Sequence, residues 1–158
     1  MRTAIISGTF DPITVGHLDV IVRASKLFDR VVVAVSANSE KKCVFPDEIR
    51  FASVKACVAD IKNADVELCD GLLAEFCMKY DNPVIVRGAR NGSEFDYERS
   101  LFVINKNLGT PETVVLPAES GMDHISSTYV RELIKYKKSL KGAVPDGAIK
   151  VIEEYLNK

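Results

Sequence analysis

Residues 3–17 read TAIISGTFDPITVGH, an apolar β-branched run that breaks into a glycine turn and opens a helix at a glycine-histidine pair. Gly8 lets the backbone approach a ligand closely, because no Cβ stands in the way. The first helical turn, which carries His17, offers unpaired N–H groups and a partial positive charge, and both favour anions. An ordinary strand–turn–helix connection is the alternative. The whole stretch, with Thr9 and Asp11 inside it, favours a phosphate-binding loop.

The composition is that of one globular domain. The chain has 158 residues, of which 47% are hydrophobic and 27% are charged, with a formal net charge of -1. This length is typical of a single domain and is sufficient to bury a core. The near-neutral charge predicts neither nucleic acid nor an anionic membrane as a partner. Because the chain starts in a strand pattern and has no long apolar run, we expect a cytoplasmic protein with one domain over residues 1–158.

The cysteines and histidines give no sign of a metal site. The cysteines are Cys43, Cys57, Cys69 and Cys77, and none is in a C-x-x-C motif. We expect them to be reduced, with some of them filling apolar space. His17 and His124 are the two histidines of the chain, so the sequence predicts no metal site built from side chains.

Apolar periodicity alternates between the strand and helix periods along the whole chain. Strands are predicted over 3–7, 30–35, 66–69, 83–86 and 113–116. Helices are predicted over about 18–28, 46–61, 72–80, 93–107, 127–137 and 146–156. Ser93 and Asp96 fit a capping box for the fourth helix, with Asp in place of Glu or Gln. This alternation predicts an α/β fold, a Rossmann-like doubly wound parallel five-stranded sheet followed by C-terminal helices.

Each predicted strand is followed by residues suited to line a ligand site. In strand order they are Thr9 and His17, Lys41 and Lys42, Leu72 and Leu73, Arg87 with Gly88 and Arg90, and Ser126 with Ser127 and Thr128. Ligands of such sheets bind beyond the carboxyl ends of the strands, where the strand order reverses. We therefore expect these segments to converge on one edge of the sheet. Their cationic and hydroxyl-rich chemistry suits a polyphosphate.

Several of these residues also have an ordinary structural interpretation. His17 can donate a hydrogen bond to charge that develops on a phosphorus-bound oxygen, or it is simply capped or faces solvent. Lys41 and Lys42 are either a solvated loop pair or part of the site. Arg87 and Arg90 offer the planar fork that phosphate prefers, or they form salt bridges.

Residues 125–131 read ISSTYVR and place three hydroxyls at a predicted helix N-terminus. Capping is one explanation. Together with the first loop, the hydroxyls favour a second cradle, for the β and γ phosphates of a nucleoside triphosphate. Gly88 leaves room for a nucleotide beside the arginines. Asp11 and Glu98 are the carboxylates of this edge, and Asp11 either contributes to metal binding or fixes its loop through bonds to backbone N–H groups.

These motifs resemble the nucleotidyltransferase superfamily, which has a T/H-x-G-H element and an ISST-like element, and within it the bacterial phosphopantetheine adenylyltransferases. The resemblance runs from end to end: GTFDPITVGHLD at 8–19, KK at 41–42, RGAR at 87–90, EFDYE at 94–98 and ISST at 125–128. Cytidylyltransferases and nicotinamide-mononucleotide adenylyltransferases typically have H-x-G-H, whereas this chain has Thr14 at the first position of that element.

The resemblance implies a reversible transfer of AMP from Mg-ATP to the phosphate of 4′-phosphopantetheine, which yields dephospho-coenzyme A and pyrophosphate. It implies that His17 stabilises the transition state, with Lys41 and Arg90 as further catalytic residues. The implied phosphopantetheine contacts are Thr9, Lys41, Leu73 and Arg87. The implied ATP contacts are Thr9, Phe10, His17, Gly88, Ala89, Arg90, Glu98, Met122, Asp123, His124, Ile125, Ser126, Ser127 and Thr128. Similar enzymes assemble as homohexamers, so the resemblance also implies an oligomer.

One triplet departs from the family pattern. Family members often have an aromatic-Ser-aromatic triplet before the ISST element, where this chain has Met122, Asp123 and His124. His124 either replaces an aromatic ring or faces solvent. Two other functions stay open: an adenylyl- or cytidylyltransferase acting on another phosphate ester, and a nucleotide-binding module without turnover. The histidine of the T-x-G-H element argues against the second.

Overall fold

The computed structural model describes residues 1–37 and 42–157, and strands and helices alternate along them. The strands are β1 (Thr3–Gly8), β2 (Arg30–Ser36), β3 (Ala64–Cys69), β4 (Pro83–Ala89) and β5 (Thr113–Pro117). The helices are α1 (Val15–Leu27), α2 (Asp47–Val58), α3 (Leu73–Cys77), α4 (Gly92–Asn107), α5 (Ser127–Lys135) and α6 (Asp146–Leu156). Of the helices in these residues, none has both the length and the apolar character needed to cross a membrane.

Within the described residues, the strands form one parallel sheet in the order β3-β2-β1-β4-β5. Thr3 of β1 pairs with Arg30 on one side and with Pro83 on the other, so β1 and β4 are neighbours although β2 and β3 separate them in the chain. The strand order therefore reverses between β1 and β4, where a doubly wound sheet opens a crevice at its carboxyl edge. The predicted α/β fold with a parallel five-stranded sheet is confirmed.

Apolar side chains cover both faces of the sheet. Successive residues of a strand point to opposite faces, so Ile5 and Val32 pack with Phe76 of α3 on one side. Ile6 and Val33 belong to a larger cluster on the other side, which includes buried residues of α1, α2, α5 and α6. Burial on both faces explains why β2 is a nearly continuous run of β-branched residues.

Four helices end before their predicted last residue: α1 at Leu27, α2 at Val58, α3 at Cys77 and α5 at Lys135. In α5 the cause is Lys137, whose φ of 51° is left-handed and does not continue a right-handed helix. After α3, Asn82 has φ of 43° and precedes Pro83, and the residue before a proline is disfavoured in a helix. The chain therefore leaves the helical conformation before β4, which begins at Pro83 as predicted.

The start of α4 corrects the predicted capping box. The N-cap is Asn91, whose side-chain oxygen accepts the N–H of Glu94 at 3.0 Å. Asparagine is among the strongest N-cap residues because its short side chain reaches this N–H group. The capping box at Ser93 is therefore wrong, since Ser93 lies inside the first turn of α4.

Two of the cysteines fill apolar space, as predicted. Cys69 and Cys77 are buried and belong to the smaller cluster on the α3 face of the sheet. Burial raises the pKa of the Cys77 thiol to about 11, so this thiol stays protonated and behaves as a small apolar group.

Candidate active site

A cavity of about 720 Å³ opens at the carboxyl ends of β1 and β4, where the strand order reverses. Its volume is within the range of small-molecule sites. The predicted site residues that line it are Thr9, Phe10, His17, Lys42, Arg87, Gly88, Ala89, Arg90, Glu98, Met122, Ile125, Ser126 and Ser127. The structure therefore brings segments from four parts of the chain to the predicted edge. Their roles as ligand contacts stay predictions.

A second, smaller cavity of about 170 Å³ adjoins the first one. Leu73 lines it, and the two cavities share Ser7, Arg87 and Glu98. Leu73 and His17 therefore line different cavities, and the Arg87 side chain lines both of them. Lys41 lies outside the described residues, so its predicted role in the site stays a prediction.

Three predicted ATP contacts are not in the lining of either cavity: Asp123, His124 and Thr128. His124 is exposed, and its ring packs edge-on against Tyr129 with ring centroids 6.0 Å apart. The solvent-facing interpretation of His124 therefore fits this structure. Its predicted contact with adenine stays a prediction.

Two glycines of the site allow protein side chains to pack closely. Phe10 has φ of 50°, and its buried ring packs edge-on against His17 with centroids 5.2 Å apart. A Cβ on Gly8 would come within 3.1 Å of the Phe10 ring. A Cβ on Gly88 would come within 2.8 Å of Val20 on α1. The sequence suggested that both glycines make room for a ligand, whereas the close approaches are to Phe10 and Val20.

A reciprocal capping box at the start of α1 fixes the His17 ring. The N-cap is Thr14, whose hydroxyl accepts the N–H of His17 at 3.3 Å and whose own N–H donates to His17 Nδ1 at 3.0 Å. Because Nδ1 accepts this hydrogen bond, the proton of the neutral ring lies on Nε2. The capped interpretation of His17 is correct for Nδ1, and it leaves the Nε2–H as a donor at the cavity wall.

The His17 ring is neutral at neutral pH. Burial, together with the positive charges of Arg87 and Arg90, lowers the pKa of His17 from 6.5 to about 4. Taking a charged ring out of water is costly, and two guanidinium groups nearby add to the cost. His17 therefore acts in this site as a hydrogen-bond donor and not as a cation.

The first turn of α1 has fewer free N–H groups than predicted. Val15 N–H donates to the carbonyl of Ala143 at 3.0 Å, and His17 N–H donates to the Thr14 hydroxyl. Among the described residues, no partner accepts the Gly16 N–H. The start of α1 therefore offers an anion two donors, the Gly16 N–H and the His17 Nε2–H.

Asp11 connects the β1–α1 loop to the segment before α2. Its two carboxylate oxygens accept the N–H groups of Val44 and Phe45, each at 2.9 Å. Asp11 is buried, and both of its oxygens are used by the protein. Of the two interpretations of Asp11, the structure shows the loop-fixing one.

Arg87 of β4 forms a bidentate salt bridge with Glu98 of α4. Its Nε and Nη2 donate to the two carboxylate oxygens at 2.8 and 3.0 Å. Its Nη1 donates to the carbonyl of Ser7 at 2.6 Å and lies 3.2 Å from the Ser7 hydroxyl. The salt-bridge interpretation is therefore correct for Arg87, while the side chain still lines both cavities.

Arg90 also pairs with a glutamate of α4, Glu94, but its guanidinium contacts only one of the two carboxylate oxygens. Its Nε donates to Glu94 Oε1 at 2.8 Å, its Nη2 contacts the same oxygen, and its backbone N–H donates to Oε2 at 2.8 Å. These bonds to Arg90 lower the pKa of Glu94. The Nη1 of Arg90 donates to the carbonyl of Ile125 at 3.0 Å, so Arg90 connects β4 with the segment that leads into α5.

The start of α5 combines capping with free donors. Ser126 is the N-cap, and its hydroxyl oxygen accepts the N–H of Tyr129 at 3.0 Å, which leaves its hydroxyl hydrogen able to donate to a ligand. The Ser127 hydroxyl donates to the carbonyl of Pro12 at 2.9 Å and thereby holds the β1–α1 loop. Capping is therefore shown, and the phosphate cradle is compatible with it.

The lining also contains residues to which sequence reasoning assigned no chemical role, among them Thr14, Glu94, Tyr97 and Arg131. Arg131 donates to the carbonyl of Asp11 at 2.7 Å and to the Thr128 hydroxyl at 3.0 Å. Its spacing of three residues after Thr128 on a helix was a usable signal, since such pairs share a face. Glu94 had a similar signal, because it follows Arg90 by four residues.

The electrostatics of the cavity favour a polyanion. Its cationic residues are Lys42, Arg87, Arg90 and Arg131. Its carboxylates are used by the protein: Asp11 by two N–H groups, Glu94 by Arg90 and Glu98 by Arg87. Over residues 1–37 and 42–157, no group of three His, Cys, Asp or Glu residues is placed to hold a metal ion.

Comparison with known proteins gives consistent matches over most of the chain. The model of the family described as Cytidylyltransferase-like matches residues 5–133. The phosphopantetheine adenylyltransferase of Bifidobacterium animalis subsp. lactis is 38% identical over 158 residues, and the one of Clostridium beijerinckii is 39% identical over 158 residues, in each case 99% of both chains. The phosphopantetheine adenylyltransferase of Cutibacterium acnes is 46% identical over 128 residues, which are 81% of this chain and 82% of that protein.

Proposed function

Since this chain belongs to the cytidylyltransferase-like family and, within it, to the phosphopantetheine adenylyltransferases, we propose that it transfers the adenylyl group of ATP to 4′-phosphopantetheine. The products are dephospho-coenzyme A and pyrophosphate, and the reaction belongs to coenzyme A biosynthesis. The structural observation that carries the proposal is the oriented Nε2–H donor of His17, set beside Arg87 and Arg90 in the crevice between β1 and β4.

The reaction needs no nucleophile from the protein. An oxygen of the phosphopantetheine phosphate attacks the α-phosphorus of ATP, the bond from that phosphorus to the α–β bridging oxygen breaks, and pyrophosphate leaves with the electron pair. Among the described residues, the hydrogen-bond partner of the His17 ring is Thr14, whose hydroxyl lies 3.1 Å from Nδ1 but is buried and already accepts the His17 backbone N–H. His17 is therefore not the base of an activated nucleophile, and catalysis consists of positioning and charge stabilisation.

His17 stabilises the charge that grows on the α-phosphate in the transition state. Its Nε2–H donates to a non-bridging oxygen, and the Thr14 N–H on Nδ1 holds the ring in the required tautomer and orientation. A donor that is oriented in advance costs no reorganisation when the charge develops. Arg90 and Lys41 are proposed as the accompanying cations.

The nucleotide lies on the Arg90 side of the cavity. Arg90 is connected to Ile125 and stands beside the N-terminus of α5, where the Ser126 hydroxyl can donate to a phosphate oxygen. Backbone N–H groups at a helix N-terminus add to this attraction. Gly88, Ala89 and Met122 also line the cavity.

The acceptor lies on the Arg87 side. Arg87 and Thr9 bind its phosphate, and the pantetheine arm enters the smaller cavity that shares Arg87. That cavity is lined by Leu73, Leu101, Phe102 and the amide of Asn105, which suits a chain of methyl groups and amides.

ATP enters as its magnesium complex. Because the carboxylates of the cavity are used by backbone N–H groups and arginines, the triphosphate oxygens and water hold the ion, as is common for Mg²⁺. The ion neutralises charge on the departing pyrophosphate.

We also propose that the chain forms a homo-oligomer, a hexamer by family resemblance. The exposed apolar residues of α4 support an interface: Phe95, Tyr97, Val103 and Ile104. Light scattering of the purified protein tests the oligomer, and a monomeric mass contradicts it.

The reaction is tested by mixing the protein with Mg-ATP and 4′-phosphopantetheine and following pyrophosphate release, with pantetheine as the control acceptor that lacks the phosphate. Release that requires the acceptor phosphate supports the proposal. A strong preference for CTP over ATP instead supports a cytidylyltransferase. ATP binding without pyrophosphate release, for any phosphate acceptor, supports a nucleotide-binding module without turnover.

A further inference from the structure

Arg50 of α2 has the largest fully buried side chain in the described residues. A buried guanidinium is costly unless each of its N–H groups has a partner. Its Nη1 donates to the carbonyls of Thr9 at 2.5 Å and Ser36 at 2.9 Å, and its Nε donates to the carbonyl of Phe45 at 3.2 Å. Its Nη2 donates to Asp47, the first residue of α2, at 2.5 Å.

These bonds join two segments of the cavity wall. Thr9 belongs to the β1–α1 loop, and Phe45 belongs to the segment 42–45, whose residues Lys42 and Cys43 line the cavity. Asp11 joins the same two segments through the N–H groups of Val44 and Phe45. Arg50 thus binds carbonyl groups of both segments, and Asp11 of the β1–α1 loop binds N–H groups of the segment 42–45.

Arg50 has no direct hydrogen bond to the nucleotide side of the cavity, which meets the β1–α1 loop elsewhere, where Ser127 donates to the Pro12 carbonyl. The hydrogen bonds of Arg50 go to Thr9, Ser36, Phe45 and Asp47, whereas residues 88–90 and 122–127 are connected through Arg90. Because Thr9 is the residue of this loop that Arg50 contacts directly, a displacement of Arg50 would move Thr9 more than it moves the Arg90 side.

We propose that Arg50 is a positioning residue that sets the distance between the β1–α1 loop and the segment 42–45, and thereby the affinity for the phosphate of the acceptor. The inference rests on the proposed function, in which Thr9 contacts that phosphate. Arg50 is fully buried and acts through the carbonyl of Thr9. Its planar fork reaches three carbonyls in different directions, which a lysine ammonium on a single stem does not do.

The test compares Arg50→Lys with Val58→Ala, a buried residue at the other end of the same helix that has no contact with the cavity. Titration calorimetry gives the Kd for 4′-phosphopantetheine and, separately, for ATP, well below the melting temperature of each variant. Both variants should have a lower melting temperature. Arg50→Lys alone should weaken phosphopantetheine binding by about tenfold, with the Kd for ATP within about twofold. Equal weakening for both ligands, or none, overturns the proposal.

Asp47→Asn is the second test variant, in case Arg50→Lys fails to fold. The Asp47 side chain is 45% exposed, so this substitution leaves the core intact. It releases one anchor of Arg50, so phosphopantetheine binding should weaken by about threefold and ATP binding should not change. An unchanged Kd for phosphopantetheine overturns the proposal. Wild-type protein that binds both ligands without releasing pyrophosphate contradicts the proposed reaction but leaves this comparison valid. Wild-type protein that does not bind phosphopantetheine overturns both.

Discussion

Arg87 and Arg90 are three residues apart at the end of β4, each pairs with a glutamate of α4, and both line the same cavity, yet the two side chains connect to different segments of the chain. The difference lies in the remaining contact of each side chain. Arg87 donates to the carbonyl of Ser7 beside the smaller cavity, and Arg90 donates to the carbonyl of Ile125 before α5. Two similar local patterns thus place two guanidinium groups differently, because a backbone carbonyl from another segment orients each one, and the proposed function assigns them to different substrates.

The largest expected effect concerns His17, which lies beside both arginines. His17→Ala should lower kcat by about 10²-fold or more, since a preorganised donor to the transition state is lost. The KM for either substrate should change by less than about threefold, because the interaction is made mainly in the transition state. Steady-state kinetics with each substrate varied in turn measures this.

His124→Ala is the comparison variant for His17, since His124 is exposed and outside the cavity lining, and its kcat should equal that of the wild type. A raised KM for ATP in this variant would support the predicted contact of His124 with adenine. A His17→Ala variant with normal kcat and weakened ATP binding would make the histidine a ligand of the ground state only.

The next prediction concerns two variants, each of which should weaken the binding of one substrate only. Together they test whether the cavity is divided between the two arginines. Arg87→Lys should raise the KM for 4′-phosphopantetheine by about tenfold, and Arg90→Lys should raise the KM for ATP by about tenfold, because a point charge does not copy a bidentate fork. Each variant should leave the other KM within about twofold. Arg30→Lys is the control, since Arg30 pairs with Asp65 at the opposite edge of the sheet. If both KM values rise in both variants, the cavity is not divided between the arginines.

A smaller effect is expected at Ser126, and it tests the proposed nucleotide side of the cavity. Ser126→Ala removes a hydroxyl that can donate to a phosphate and should raise the KM for ATP by about threefold to tenfold. It also removes an N-cap, which should lower the free energy of unfolding by about 1 kcal/mol. Ser127→Ala is the comparison, because its hydroxyl hydrogen is used by the Pro12 carbonyl. An equal change in KM for the two variants would show that the Ser126 hydroxyl does not bind the nucleotide.

The smallest expected effect concerns the pH at which His17 titrates. His17 should titrate near pH 4 and not near 6.5, because burial and the two arginines disfavour its charged form. Between these pH values the unfolded chain binds a proton that the folded chain does not, so the free energy of unfolding should decrease as the pH falls from 6.5 to 4. NMR of the imidazole signals measures the midpoint, with His124→Ala to assign them. A midpoint of 6.5 would mean that the ring is solvated.

The sequence was sufficient to predict the parts of the site whose signal is a residue type. The histidine after a buried strand and the serines at a helix start line the cavity as predicted, because their side chains carry the hydrogen-bonding groups that made them candidates. The parallel sheet was also predictable, since strand and helix periods alternate along the chain. The start of α4 was not, because Asn91 and Ser93 are both competent caps and the backbone decides between them.

Arg50 shows why other parts of the site were not predictable. It binds carbonyl groups of Thr9, Ser36 and Phe45, and a carbonyl group is the same in every residue. No residue type in those three segments marks the arginine that will reach them. Gly8 and Gly88 are similar cases, since their close contacts with Phe10 and Val20 depend on how the elements pack.

The contacts that complete the β1–α1 loop come from far along the chain. Val15 donates to Ala143, Ser127 donates to Pro12, and Arg131 donates to Asp11, so the loop near the start of the chain is held by residues 127–143. During synthesis the ribosome must release those residues before the loop can take its final form. A nascent chain that stops before residue 127 should therefore have the β1–β2 pairing but no ATP binding, which makes nucleotide capture a late marker of folding on the ribosome.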